Sequence, residues 1–378
     1  MKEKLPIYLD YNATTPIAPE VAEYMKPFLT DYFGNPSSSH YFGVRAKEEI
    51  VKARKSVADM LNCSAEEIIF TSGGTEANNL AIKGIAEANI SKGNHIITST
   101  VEHPAVLNVC KYLESKDFEI TIIPVDQYGR VNPKDVEDAI KPETILITIM
   151  HSNNEVGTSQ PIEEISEIAK RHKVIFHTDC AQSIGKVKID VKELGVDLLS
   201  VAGHKFYAPK GVGVLYIKIG TKVSNLMQGA GHERGLRPGT ENILEIAGLG
   251  KAAELVKNNL NEYSSHMLKM RNRFEKGVLE SCKNVRVNGH PENRLPNTSN
   301  IGFKDISAYY MLSQIPQIAA SPGSACNSKE VQISNVLKQM NVPIEFAEGT
   351  IRFSFGRTTK EEEIDRAVML IGEFIKRK

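Results

Sequence analysis

The stretch Ser200-Val201-Ala202-Gly203-His204-Lys205 ends an apolar run on a glycine and sets a histidine and a lysine side by side. A primary amine at the end of a buried strand is costly to charge. Burial therefore lowers its pKa, and an uncharged amine is what Schiff-base formation with an aldehyde requires. Lys205 is the first candidate for covalent chemistry. A His-Lys pair taken alone is more often plain surface, so the assignment depends on what converges with it.

Four other stretches supply matching chemistry. Thr71-Ser72-Gly73-Gly74-Thr75-Glu76 follows an apolar run and opens a helical pattern, and free N–H groups at a helix start attract anions. The glycines let backbone come close, and the hydroxyls of Ser72 and Thr75 can cap the helix or bind phosphate. It carries neither a G-K-[ST] P-loop nor a G-x-G-x-x-G dinucleotide fingerprint. Thr100-Val101-Glu102-His103-Pro104 puts a histidine before a helix, Asn153 to Gly157 follows the Ile145 strand, and His177-Thr178-Asp179-Cys180-Ala181-Gln182 follows the next. His177-x-Asp179 lacks a third nearby ligand, which argues against metal.

The elements that must position these residues follow from pattern. Short β-branched runs at Ile68, His95, Ile120, Ile145, Val174, Leu198 and Gly213 alternate with amphipathic segments. Such alternation predicts an α/β fold with a mostly parallel sheet flanked by helices, and ligands gather beyond the carboxyl ends of such strands. Ahead of it come a short extended piece at Tyr8, a helix over about Ala18 to Thr30, and a second helix carrying Val44, Ile50, Val57 and Leu61 at helical spacing. From Asn242 a three-to-four spacing continues to Val278, as one long helix or two joined. The remainder predicts a smaller α+β domain with strands near Val285, Asn300, Ile318 and Arg352 and helices near Ser307, Val331 and Ala367. The expected division is 15–258 for the large domain and 1–14 with 259–378 for the small one.

Composition bounds the function. The 378 residues suffice for two domains, and Lys plus Arg equals Asp plus Glu at 46 each, with no long charged run to engage nucleic acid. No apolar run approaches the roughly 20 residues that span a bilayer. The N-terminus has no signal-like leader, which predicts a soluble, cytoplasmic protein. Five cysteines, at 63, 110, 180, 282 and 326, are odd in number and contain no C-x-x-C pair, against both a disulfide framework and a zinc knuckle.

A lysine, an anion-binding helix start, an acid, an amide and a histidine that can stack are what pyridoxal 5'-phosphate requires. The sequence resembles the group I cysteine desulfurases, class V aminotransferases of the fold-type I pyridoxal-phosphate enzymes. The likeness runs nearly end to end: Tyr8 to Pro16, Phe33 to His40, Phe70 to Leu80, Glu102-His103, Asn153 to Gly157, His177 to Gly185, Gly203 to Gly213, Gly229 to Asn242, Ser321 to Ser328 and Ile351 to Thr359. By that resemblance Lys205 forms the Schiff base and takes the substrate's α-proton, Asp179 pairs with the pyridine nitrogen, Gln182 bonds the ring hydroxyl and His103 stacks on the ring and serves proton transfer. Gly74, Thr75 and His204 hold the phosphate, Thr240 reaches in from a second subunit of a homodimer, Asn154 sits between cofactor and substrate, and Arg352 binds the substrate carboxylate.

Ser321-Pro322-Gly323-Ser324-Ala325-Cys326-Asn327-Ser328 flanks a thiol with small residues, which predicts a mobile loop. In the family this cysteine is the nucleophile that takes sulfur from L-cysteine as a persulfide, leaving alanine and passing sulfur to an acceptor protein, as in iron–sulfur cluster assembly. Ala202 departs from the Ser or Thr that many relatives carry in the phosphate site, and Cys180 from the common Ala. Segments 237–242, 248–256 and 294–298 also resemble the selenocysteine lyase branch, making L-selenocysteine the alternative substrate. The remaining rivals are a non-catalytic scaffold, disfavoured by Lys205, Asp179, Arg352 and Cys326 together, and a nicotinamide dehydrogenase, whose dinucleotide loop is absent.

Overall fold

The computed structural model describes residues 5–327 and 330–377, with side chains at 324–327 and 330–332 outside that description. After a two-residue strand β1 (Ile7–Tyr8), seven strands build the main sheet: β2 (Ile68–Thr71), β3 (His95–Ser99), β4 (Glu119–Ile123), β5 (Thr144–Thr148), β6 (Ile175–Asp179), β7 (Leu198–Ala202) and β8 (Gly213–Ile217). Their order is β2-β8-β7-β6-β5-β3-β4. All neighbours are parallel except at β8, which runs antiparallel to both β7 and β2. Two reversals cancel, so β2 points the same way as β7. Every strand that precedes a polar cluster therefore ends on one edge of the sheet.

Side chains on a strand alternate between faces, and here both faces are apolar. Phe70, Ile97, Ile147, Phe176, Leu199, Val201 and Val214 pack on one side, against the Tyr41–Leu61 and Ile162–His172 helices. Ile69, Ile96, Leu146, Leu198 and Leu215 pack on the other, against the Gly74–Asn89 and Pro104–Glu114 helices. The periphery is β4, where Glu119 and Ile122 are exposed.

A second, four-stranded antiparallel sheet has the order β12-β15-β10-β9, formed by β9 (Val285–Asn288), β10 (Thr298–Phe303), β12 (Ser321–Pro322) and β15 (Thr350–Ser354). Between β10 and β12 lies β11 (Ile318–Ala319), which pairs in parallel with β1. Its core joins Leu9, Phe274, Ile301, Phe353, Phe355 and Ile371. The pattern from Asn242 forms one continuous helix, Ile243–Ser281. Its Ile246, Leu249 and Val256 belong to the first core and its Met270, Phe274 and Val278 to the second, so residue 258 falls inside the element that links them.

Three local expectations are corrected. The helix expected over Ala18–Thr30 divides into Pro19–Met25 and Pro27–Thr30, because Pro27 has no N–H to carry the ladder on. The helix expected near Val331 lies later, at Asn335–Gln339, where the Ser334 side chain caps the N–H groups of Val336 and Leu337. The loop expected around Cys326 is a hairpin, β13 (Ser324–Asn327) paired with β14 (Glu330–Ile333), in which Cys326 stands opposite Val331. Small residues left its conformation to backbone pairing, which needs nothing from side chains.

Phe274 is fully buried with its ring centroid 4.7 Å from that of Phe353 and 5.3 Å from that of Phe355. Phe274→Ala is expected to destabilise the protein by about 3–5 kcal/mol, the range for emptying such a site, checked by denaturant unfolding against wild type.

Candidate active site

The carboxyl edge of the main sheet encloses a cavity of about 220 Å³ lined by residues from five strand ends. Gly74, Thr75 and Asn78 follow β2, His103 follows β3, and Ser152 and Asn154 follow β5. Asp179 ends β6 with Gln182 just beyond, and Ala202, His204 and Lys205 close β7. The expected residues thus come together, apart from Arg352, Thr240 and Cys326. Thr240 is exposed and does not line the cavity, and the Cys326 side chain lies outside the described residues.

Lys205 ends the turn Gly203–Lys205 that follows β7. Its Nζ donates to two backbone carbonyls, Asn12 at 2.6 Å and Ala13 at 2.8 Å. Carbonyl oxygens carry no full charge to hold an ammonium. Burial first, with a smaller push from Arg352 and an opposing pull from Asp179 and Asp10, lowers the lysine from the ordinary 10.5 to about 8. Next to it, His204 Nδ1 meets Thr14 Oγ1 at 3.1 Å, and burial first, then neighbouring lysines, holds its ring near 4. A neutral imidazole is the form present at neutral pH.

The helix start at Gly74 is made tight by geometry. Gly73 has φ +152°, a conformation that glycine alone adopts readily. A Cβ on Gly213, at the head of β8, would stand 2.6 Å from Gly73, and a Cβ on Gly74 would lie 3.2 Å from that of Ala202. Ala202 brings no hydroxyl, leaving Thr75 and His204 as the polar side chains at this end. Across the cavity Asp179 accepts from Asn78 Nδ2 at 2.7 Å and from the Ala181 N–H at 2.8 Å, so both carboxylate oxygens are held in place. Asn78 Oδ1 is buried without a partner. Sequence reasoning missed Asn78, although its place one turn after Gly74 on a helix that starts at the site puts it on the same face.

His103 caps the Pro104–Glu114 helix, its Nδ1 accepting from the Ala105 N–H at 3.1 Å. That leaves Nε2 to carry the proton of the neutral ring. Burial lowers its pKa, opposed by Asp179 and assisted by Lys205. His177, whose spacing to Asp179 lacked a third metal ligand, bonds Thr148 and Ser200 through its two nitrogens, and burial holds it near 3.

Arg352 lines an adjoining cavity of about 290 Å³ with Asn154, Glu155, Ser321, Pro322 and Gly323. Its guanidinium donates to the Asn154 carbonyl at 3.0 Å, to Asp10 Oδ1 at 2.8 Å and to Ser321 Oγ at 3.1 Å, while Nε is buried without a partner. Asn154 lines both cavities. A carboxylate bound at Arg352 is therefore one residue away from the Lys205 chamber.

A partly deprotonated lysine, a fixed carboxylate and an anion-binding helix start in one chamber suit an aldehyde cofactor that bears a phosphate and a basic ring. Asn78 Oδ1, left unpaired, and Gly74, whose missing side chain keeps the helix start open, fit the residues to pyridoxal phosphate. The chain belongs to the aminotransferase class-V family, whose model matches residues 7–367, and within it to the pyridoxal-phosphate-dependent cysteine desulfurases. The cysteine desulfurase IscS of Methanosarcina thermophila is 48% identical over 377 residues, covering 99% of this chain and 93% of that one. A solved NifS-like protein matches with a TM-score of 0.93 at 36% identity, over 99% of this chain and 100% of the other. SspA, solved in complex with cysteine, matches at a TM-score of 0.83 and 39% identity, over 93% and 99%. Among the described residues, no helix is long and apolar enough to cross a membrane.

The lowered Lys205 pKa has a sign that can be measured. Below about 8 the amine is an ammonium and above it a nucleophile. Borohydride-trapped pyridoxylation of the apoprotein is expected to rise through a midpoint near pH 8 instead of 10.5. Peptide mass spectrometry should place the adduct on Lys205, and Lys205→Ala should lose it.

Proposed function

We propose that the chain removes sulfur from L-cysteine, yielding L-alanine and an enzyme persulfide whose sulfur passes to an acceptor protein, in iron–sulfur cluster assembly or another sulfur-transfer route in the cytoplasm. The observation that carries this reading is a lysine held near neutrality beside a fixed carboxylate, one residue from a carboxylate-binding arginine. When bound, pyridoxal phosphate supplies an electron sink for charge developing at the substrate α-carbon.

The roles of this chain's residues follow. Gly74, Thr75 and His204 would hold the phosphate, with Ala202 forming a wall without a hydroxyl. Asp179, anchored by Asn78, would hold a proton on the pyridine nitrogen. Gln182 would bond the ring oxygen and His103 would stack on the ring. Lys205 would anchor the aldehyde carbon, and its Nζ, once free, would take the substrate α-proton. Arg352 and Asn154 orient the substrate carboxylate, a task suited to a planar two-pronged cation.

Cys326 receives the sulfur. Its thiolate attacks the substrate sulfur, an S–S bond forms, the C–S bond breaks toward carbon, and protonation there gives alanine. His103 Nε2 is the group assigned to proton transfer at the departing sulfur. Two observations support Cys326 over the other thiols. The hairpin that bears it begins one residue after Ser321–Gly323, which wall the Arg352 cavity. The other four thiols, at 63, 110, 180 and 282, all have pKa values raised by burial, to about 12 for Cys63 and Cys110, so none is a ready thiolate.

This reading includes the division into 15–258 and 1–14 with 259–378, supported by two separate apolar cores. It also includes a homodimer in which Thr240 of one subunit completes the phosphate site of the other. Exposure of Thr240 outside its own cavity supports this, as does the general preference for two-fold assemblies. Sedimentation of the cofactor-loaded protein is expected to give a dimer; a monomer that turns over would remove Thr240 from the site.

L-selenocysteine is the second substrate to test, favoured by the likeness of segments 237–242, 248–256 and 294–298 to the selenocysteine lyase branch. Cys326→Ala is expected to keep the cofactor and its yellow colour yet stop alanine release from cysteine. Selenium leaves more readily and can depart without a thiol. Following alanine from both amino acids in wild type and mutant tests this: wild type active only on selenocysteine would make the lyase reading correct, and a mutant with full cysteine activity would exclude Cys326 as nucleophile.

A further inference from the structure

Lys186 is a buried amine that the reaction as described leaves without a task. It is 4% exposed, and none of the ion pairs among the described residues includes it. Its Nζ donates to Gln182 Oε1 at 2.9 Å and to Asn12 Oδ1 at 3.4 Å. The chain reaches it through Gly185, at φ +75°, where any Cβ would meet the Phe206 side chain at 2.8 Å. The turn is thus restricted to glycine, and Lys186 follows it directly into the interior.

The contacts of Gln182 have one self-consistent orientation. Its Nε2 donates to the Asn12 carbonyl at 3.0 Å, the same oxygen that accepts Lys205 Nζ at 2.6 Å. A backbone carbonyl only accepts, so the amide nitrogen must face it. Lys186 fills the amide oxygen from the other side. The –NH2 group has two hydrogens, one of them committed to Asn12, and Gln182 also lines the Lys205 cavity.

We propose that Lys186 is a positioning residue: by donating to Gln182 Oε1 it keeps the amide turned so that the cavity receives an N–H donor, and the cofactor ring oxygen there is held in its ionised form. This inference rests on the function proposed above, in particular on Gln182 meeting the ring oxygen. Without Lys186 the amide oxygen is buried and unpaired, and the amide keeps only its bond to the Asn12 carbonyl, so its second N–H is held less firmly toward the ring. A weakened donor favours the protonated ring hydroxyl instead.

The charged and titratable groups around this pair are Lys205, Arg352, Asp179, Asp10, His103 and His204. Lys205 and Arg352 repel a charge on Lys186, and burial, the larger cause, also disfavours it. Lys186 in turn disfavours charge on His204. Asp179 and Asp10 act in the opposite sense on Lys205. A shift caused by lost charge at Lys186 must therefore be separated from one caused by a lost hydrogen bond.

Two variants make that separation. Lys186→Met removes both donor and charge, and Lys186→Gln removes the charge while its amide N–H can still donate to Gln182. Fold loss is not expected in Lys186→Met, since a buried amine without a carboxylate is costly and an apolar chain of similar length is not; thermal unfolding of the apoprotein checks this. The readout is the visible absorbance of the pyridoxal-phosphate-loaded protein against pH, without substrate. Lys186→Met is expected to raise the midpoint by about one pH unit, the scale of one lost hydrogen bond to an ionised group, with Lys186→Gln staying within about 0.3 of wild type. An unshifted Lys186→Met overturns the inference, and so does a Lys186→Gln that shifts as far as Lys186→Met, which would assign the effect to charge. A wild-type protein that forms no pH-dependent absorbing adduct overturns the functional reading itself.

Discussion

Two backbone carbonyls, those of Asn12 and Ala13, hold the amine of Lys205, and much of the molecule is arranged to bring them there. Leu9 is packed in the second core and Tyr11 in the first, so the segment between crosses from one apolar unit to the other. Asn12 is fully buried at the crossing. Its side chain donates to Thr298 Oγ1 and to the Asn154 carbonyl and accepts from Asn297, while its N–H donates to Ser354. An amine offered only neutral acceptors has no ion-pair partner, and burial favours its uncharged form against the opposing pull of Asp179 and Asp10. The acceptors of Lys205 are thus supplied by a turn that lies between the two cores.

The same crossing couples the two cavities. The Asn154 carbonyl accepts from both Asn12 and Arg352, and Asp10, two residues before Asn12, pairs with Arg352 in a largely buried contact. Removing either partner of such a pair leaves an uncompensated charge, the costly case. In the proposed reading, an incoming substrate carboxylate would meet an arginine already engaged by Asp10 and Ser321, with only Nε unpaired, at a guanidinium whose position is fixed beforehand.

Tight backbone packing accounts for the phosphate end. Gly73, Gly74 and Gly213 meet where β2, β7 and β8 lie side by side, and no Cβ fits on Gly213. The glycines therefore do two things: they permit the turn at Gly73 and allow three strand ends to crowd against one helix start. Ala202 belongs to the same crowding, its methyl facing Gly74. A methyl stands there and brings no hydroxyl, so in the proposed reading anion binding would rest on the helix start, Thr75 and His204.

The sequence by itself determined the alternation of strands and helices, the edge on which polar residues gather, the lysine, the helix start and the acid, because each follows from local periodicity or from a motif contiguous in the chain. Lys205, Asp179 and Gly74 were legible for that reason, and Arg352 through the family resemblance. Asn78 as anchor of Asp179 and the carbonyls of Asn12 and Ala13 as acceptors were not, since each contact joins residues distant in sequence or uses backbone atoms that carry no residue-specific signal; Lys186 behind Gln182 was not either, because only the packing around a lysine four residues on shows that it is buried. The hairpin at Cys326 escaped as well, because strand pairing among small residues is decided by the partner strand. Tertiary structure alone decided that β2 and β7 end on one edge, through two antiparallel neighbours of β8, and that a single helix runs from one core to the other. Hydrophobic spacing names the face a residue buries, but which element it meets there depends on the packing of the whole chain.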